Sequence, residues 1–196
     1  MFKKDLENRT PDIRHLKDMT EVIYDRRWLK STDINMELYY MYRNLKHKEG
    51  LRYDITIIPA NMLGSEFVKT KGHYHSEPRA ELYIVLQGNA IYFMQKKENG
   101  IISDAYYVKA KKGDNVIVPK NYGHVTINAS DNKLVMANWI SEKEQKSDYK
   151  SISEKKGACY YYTETGWIKN KNYKKVPKLR YKLALKSMPK DLNFLK

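Results

Sequence analysis

From residue 36 onward, apolar and β-branched positions fall into short runs separated by polar, glycine-bearing turns. Runs of this length, rich in Val, Ile, Tyr and Phe, predict strands over residues 36–42, 53–58, 67–74, 80–87, 90–95, 101–109, 115–118, 124–128 and 134–139. Gly88-Asn89 reads as a hairpin or strand-turn-strand between two of them, and Glu164-Thr165-Gly166 as the turn of a late hairpin formed by 157–163 and 167–169. Strands recurring roughly every eight to twelve residues imply an antiparallel sandwich or barrel. Before residue 30, scattered apolar anchors (Leu16, Met19, Val22, Ile23, Trp28) predict a short helical or strand arm packed on that core. Residues 141–151 read as a polar loop with a helical turn, and Pro177 and Pro189 break up the C-terminal stretch.

Composition narrows the class. A chain of 196 residues with 41% apolar and 31% charged side chains suits one globular domain, and no apolar run is long enough to span a membrane. The first residues lack the apolar stretch of an export signal, and Cys159 is the sole cysteine, so a disulfide framework within the chain is excluded and a reducing, cytoplasmic setting is expected. The net charge of +14 is uneven: residues 169–196 carry nine lysines and one arginine against Asp191 alone. Because lysine is abundant throughout, this segment reads as a solvated basic tail, and neither a nucleic-acid nor a membrane partner is expected.

The chemistry concentrates around Thr70-Lys71-Gly72-His73-Tyr74-His75. Side chains alternate along a strand, so His73 and His75 project to one side as a pair of imidazoles and Tyr74 to the other. Glu81 enters on a neighbouring strand, and His124 opens another after Gly113 and Pro119. Three imidazoles and a carboxylate suit a divalent first-row transition metal rather than calcium.

The spacing of Gly72, His73, His75, Glu81 and Gly88, followed by Gly113, Pro119, His124 and Asn128, resembles the two-part signature of the cupin superfamily. Within it, Thr70 to His75, Arg79-Ala80-Glu81-Leu82-Tyr83, Arg14-His15-Leu16-Lys17-Asp18-Met19 and Ala137-Asn138-Trp139 resemble the cupin-type glucose-6-phosphate isomerases of archaea and some bacteria. The resemblance implies an all-β fold, a double-stranded β-helix or jelly-roll-like barrel with a short N-terminal arm and a C-terminal extension. One cupin domain over 1–182, with its barrel core at about 36–140, would precede a basic tail at 183–196.

It also implies one divalent metal per subunit, iron first and manganese, nickel or zinc as alternatives, held by His73, His75, Glu81 and His124. Glu81 and His124 would carry catalysis through an enediol, with hydride transfer as the rival route. Tyr39, Thr56, Thr70 and the backbone of Gly72 would receive the phosphate of the sugar phosphate, and Tyr83 and Trp139 would face the sugar. A homodimer acting in glycolysis and gluconeogenesis is expected. The chain departs from the family at Ser147, where relatives often carry histidine, and at Trp139, where some have tyrosine. An open metal site of this type would also suit another cupin enzyme, such as a sugar-phosphate epimerase or an oxygenase, or a non-catalytic sugar-phosphate binder.

Overall fold

The computed structural model describes residues 2–143 and 146–196, so part of the 141–151 loop lies outside the described residues. Its strands are β1 (Asp12–His15), β2 (Glu37–Lys48), β3 (Leu51–Ile58), β4 (Met62–Leu63), β5 (Glu66–Phe67), β6 (Tyr74–His75), β7 (Glu81–Gln87) and β8 (Asn89–Glu98). The second half adds β9 (Ile101–Lys111), β10 (Asn115–Val118), β11 (Tyr122–Ile127), β12 (Leu134–Ser141), β13 (Ser147–Asp148), β14 (Tyr160–Thr163), β15 (Gly166–Lys169) and β16 (Arg180–Leu183). Three helices, α1 (Phe2–Leu6), α2 (Arg26–Leu29) and α3 (Lys150–Ser153), are each little more than one turn.

Two sheets make the barrel. One runs β1-β2-β3-β12-β7-β10 and the other β11-β8-β9-β16, and smaller sheets, β15-β14-β5-β4 and β13-β6, flank them. This is the all-β, jelly-roll-like barrel that the sequence predicts. Every pairing between the long strands is antiparallel except that of β16, which adds to β9 in parallel. Alternation decides what each strand presents inward. On β3 and β12 the register places Thr56 opposite Met136, Asp54 opposite Asn138 and Arg52 opposite Ile140 on the cavity face. The intervening Tyr53, Ile55, Val135 and Ala137 form a separate apolar cluster on the outside.

Gly88 is not a hairpin turn. β7 pairs with β10 and β12, whereas β8 pairs with β9 and β11, so Gly88 is the corner at which the chain leaves one sheet for the other. Its φ of +82° and the 2.7 Å that would separate an added Cβ from the Lys133 carbonyl explain the glycine. The expected strand at 67–74 is likewise interrupted: only β5, β6 and single bridges Lys69↔Ile127 and His73↔His124 pair. Gly72, at φ +79°, bends the chain there. An added Cβ would meet Val125 Cγ2 at 2.6 Å and the His124 carbonyl at 3.3 Å.

The N-terminal arm closes one end of the barrel. Leu16, Met19, Val22 and Ile23 are fully buried in the main core with Leu38, Ile58 and Leu134. A buried ion pair fastens this arm: Lys69 Nζ bonds Glu66 and donates to the Val22 carbonyl at 2.9 Å, while Glu66 accepts from the Tyr24 amide at 3.0 Å.

The C-terminal segment is not free in solvent. Leu185 exchanges both backbone hydrogen bonds with Asn115, at 2.8 and 2.9 Å, and Leu195 is fully buried against Leu51, Ala80 and Leu82. Apolar residues spaced among the lysines dock it while most lysines stay solvated, a pattern that overall charge conceals. No helix of the described residues is long and apolar enough to cross a membrane.

Candidate metal centre and active site

The two imidazoles of the Gly72-His73-Tyr74-His75 stretch do project to one side. Tyr74 points the other way: its ring packs on Gly123, and its hydroxyl accepts from Gln95 Nε2 at 2.8 Å. β11 brings His124 beside His73 through the isolated bridge, and β7 brings Glu81 to the same point. One ligating atom from each of His73, His75, Glu81 and His124 lies within 4.8 Å of the others. Glu81 Oε2 is 3.2 Å from His75 Nε2 and 3.4 Å from His124 Nε2. His75 Nδ1 is 3.0 Å from the Arg79 carbonyl, a partner that fixes the ring and turns Nε2 to the cluster.

Electrostatics prepares the four groups for a cation. Burial and the neighbouring His75 push the His73 imidazole down to about 3, and burial together with His73 holds His124 well below its ordinary value. Both rings are therefore neutral, with lone pairs available. Burial alone would raise the Glu81 carboxyl, but hydrogen bonding to His75 and the nearby rings bring it below the ordinary carboxylate value. Two neutral imidazoles, the His75 ring and an ionised carboxylate converging on one point fit a divalent metal.

The cavity beside this cluster collects most of the other residues expected from the sequence: Tyr39, Thr56, Thr70, Gly72 and Tyr83 all line it. Tyr83 Oη lies 3.2 Å from His124 Nε2. Thr70 Oγ1 accepts from the Thr126 amide at 3.0 Å, and Tyr39 Oη accepts from the Lys71 amide at 3.2 Å. Trp139 is the exception. It follows Asn138 on β12, and two successive residues of a strand cannot face the same way; Asn138 lines the cavity and Trp139 lies outside, with its ring 4.9 Å from that of Tyr53. Ser147 borders the cavity, and β13 pairs it with His75.

Residues not anticipated for the site complete the wall. Arg43, Arg52, Asp54 and Asn138 line the cavity, as does Tyr149, whose ring centroid is 5.4 Å from that of His73. Arg52 Nε donates to Asp54 at 3.1 Å, and Arg43 Nε to Asp12 at 3.0 Å. The register between β2 and β3 slips between Tyr42 and Lys46. There the Asn44 amide donates to Asp54 at 2.8 Å, with Asn44 at φ +56°, and this bulge holds Arg43 at the cavity. Alternation from Thr56 points to Asp54 and Arg52; the bulge beside Arg43 has no equally plain signal.

An all-β jelly-roll barrel whose interior carries three histidines and a glutamate defines a cupin with a site able to hold a metal ion. A profile of the family described as glucose-6-phosphate isomerase (GPI) matches residues 13–178, and the chain belongs to that family. It is 30% identical over 168 residues to the glucose-6-phosphate isomerase of Thermococcus litoralis, covering 83% of this chain and 86% of the relative. With the glucose-6-phosphate isomerase of Pyrococcus furiosus the identity is 30% over 171 residues, covering 84% and 87%.

Among solved structures, an oxalate decarboxylase of Bacillus subtilis with Mn(II) centres aligns at a TM-score of 0.45 and 20% identity, over 62% of this chain and 30% of that one. The cupin domain of Schizosaccharomyces pombe Cnp3 aligns at 0.40 and 14%, over 58% and 72%. The chain thus spans about a third of the decarboxylase's length.

Proposed function

We propose that this chain interconverts glucose 6-phosphate and fructose 6-phosphate, using a divalent metal held by His73, His75, Glu81 and His124. The observation that carries the reading is the convergence of those four groups, within 4.8 Å, on a cavity that also offers hydroxyl donors and arginines. A bound divalent cation, iron first among the candidates, supplies Lewis-acid stabilisation of negative charge developing on the sugar.

Moving a proton between C2 of the aldose and C1 of the ketose, through an enediol, needs an ionised base and an acid beside it. Glu81, ionised at neutral pH, would act as a ligand that shifts away or as an outer-sphere group to take the C2 proton and return it to C1, while the proton of the C2 hydroxyl passes to the C1 oxygen. Tyr83, its hydroxyl 3.2 Å from His124 Nε2, steadies that ring beside the carboxylate. Thr56, Thr70, Tyr39 and the backbone at Gly72 hold the phosphate, and Arg43 and Arg52 favour an anionic substrate in the cavity. Trp139, turned outward, takes no part in sugar binding.

The experiment is a coupled assay for conversion of fructose 6-phosphate to glucose 6-phosphate by metal-loaded protein. Turnover is expected; bound metal without turnover, accompanied by oxygen uptake on another substrate, would contradict the reading. A role in glycolysis and gluconeogenesis, in the cytoplasm, is the expectation that goes with this reading. A homodimer is expected, and light scattering that finds a monomer at micromolar concentration would contradict it.

A further inference from the structure

Tyr39 reaches the cavity with its hydroxyl oxygen already accepting a hydrogen bond. The Lys71 amide donates to that oxygen at 3.2 Å. Arg14 lies directly across the β1–β2 ladder from Tyr39, on the same sheet face. The positive charge of its guanidinium offsets part of the rise that burial imposes on the Tyr39 hydroxyl. A phenol oxygen has two lone pairs and one proton. With the Lys71 amide on one lone pair, and no acceptor for the O–H among the described residues, the proton is left for whatever occupies the cavity.

Arg14 lies against an aromatic ring of the cavity wall. Its guanidinium carbon lies 5.6 Å from the centroid of the Tyr149 ring, which in turn borders His73. Lys71 Nζ approaches the same ring at 5.6 Å and is anchored to the Asp18 carbonyl and to Glu21. Arg14 Nε is buried and has no hydrogen-bond partner. A buried guanidinium edge without an acceptor, beside a phenol with a proton to give, is an arrangement that an anion would satisfy.

We infer that Arg14 is a positioning residue for phosphate binding, which steadies Tyr39 from across the β1–β2 ladder and adds positive charge beside it. The inference rests on the sugar-phosphate reading of the cavity. Arg14 makes no hydrogen bond to the catalytic cluster and its charge is the smallest of the named influences on His73, so its loss weakens phosphate capture and leaves the chemical step nearly intact.

The test compares Arg14→Met, Arg14→Lys, Tyr39→Phe and the double variant Arg14→Met/Tyr39→Phe, after circular dichroism and metal content show each to be folded and loaded. For Arg14→Met, KM for fructose 6-phosphate and the inhibition constant of inorganic phosphate are expected to rise together, by about tenfold, with kcat within about twofold to threefold. Arg14→Lys recovers part of the loss. In the Tyr39→Phe background the same substitution is expected to add less than about twofold, because the two residues act through one oxygen.

Full additivity in the double variant, or a fall in kcat at constant KM, would overturn the inference. If the wild type turns over but Arg14→Met leaves KM and phosphate inhibition unchanged, this inference fails and the isomerase reading stands. Should the wild type not turn over, calorimetric titration with inorganic phosphate decides separately. A wild-type affinity reduced in Arg14→Met supports the positioning role, and an unchanged affinity overturns it.

Discussion

Replacing His124 by alanine is expected to strip the protein of metal and to lower turnover by more than about a thousandfold. The imidazole is almost wholly buried, and its Nε2 stands 3.4 Å from Glu81 and 3.2 Å from Tyr83. Alanine leaves His73, His75 and Glu81 around an enlarged hole, with the carboxylate facing one fewer neutral ring. The ladder that positions His124 is made by backbone groups, both to His73 and to Met94 on β8, so the fold survives the substitution. Metal analysis by mass spectrometry and the coupled isomerase assay check the two expectations together. Undiminished activity in the alanine variant would contradict the assignment of the quartet.

The second large effect falls on stability and lies outside the cavity. Lys69→Met is expected to cost about 3–5 kcal/mol, because it leaves Glu66 buried with the Tyr24 amide as a remaining donor. At roughly 2–4 °C per kcal/mol for a chain of this size, the midpoint of thermal unfolding should fall by about 6–20 °C. Burial already raises the Glu66 carboxyl above its ordinary value, with Lys69 pulling it back. Without the lysine the folded-state value rises further above the unfolded one. A group raised in this way is most compatible with the fold when protonated, so the deficit is fullest at neutral pH. It shrinks as the pH falls through the raised folded value toward the ordinary carboxylate range. Pairing Lys69→Met with Glu66→Gln should recover part of the loss. A Lys69→Met midpoint within 2 °C of wild type, a shift of about one kcal/mol or less, would contradict the role given to the pair.

The metal quartet was legible in the chain because two rules suffice for it. Alternation puts His73 and His75 on one side, and the spacing to Glu81 and His124 matches a known signature. The same alternation, applied to β12, separates Asn138 from Trp139; resemblance alone had drawn the larger side chain into the site, whereas the fold turns it toward Tyr53. Arg43 was hidden for a different reason. Its direction depends on a bulge fixed by a hydrogen bond from Asn44 to Asp54, a contact between residues of two strands whose register the sequence does not state. Arg14 reaches the site through cross-strand pairing with Tyr39, which is equally silent in one dimension.

The barrel itself followed from strand length and spacing, but its corners did not. Gly88 looks the same in a hairpin and at a change of sheet, since both require a positive φ. What distinguishes them is the partner of each flanking strand, which is decided by packing far along the chain. At the C-terminus, lysine content masked Leu195, a buried apolar anchor that docks the segment on the barrel together with the backbone bonds of Leu185.

The account turns on metal-dependent isomerisation at one quartet per chain. Its most direct test strips the protein with a chelator and titrates Fe²⁺ back, in the absence of oxygen, while conversion of fructose 6-phosphate is followed. The expected result is negligible activity in the stripped protein, rising in proportion to metal and levelling off at one ion per chain. Full activity in the stripped protein, or rebinding of one ion per chain with no return of isomerisation, would contradict it.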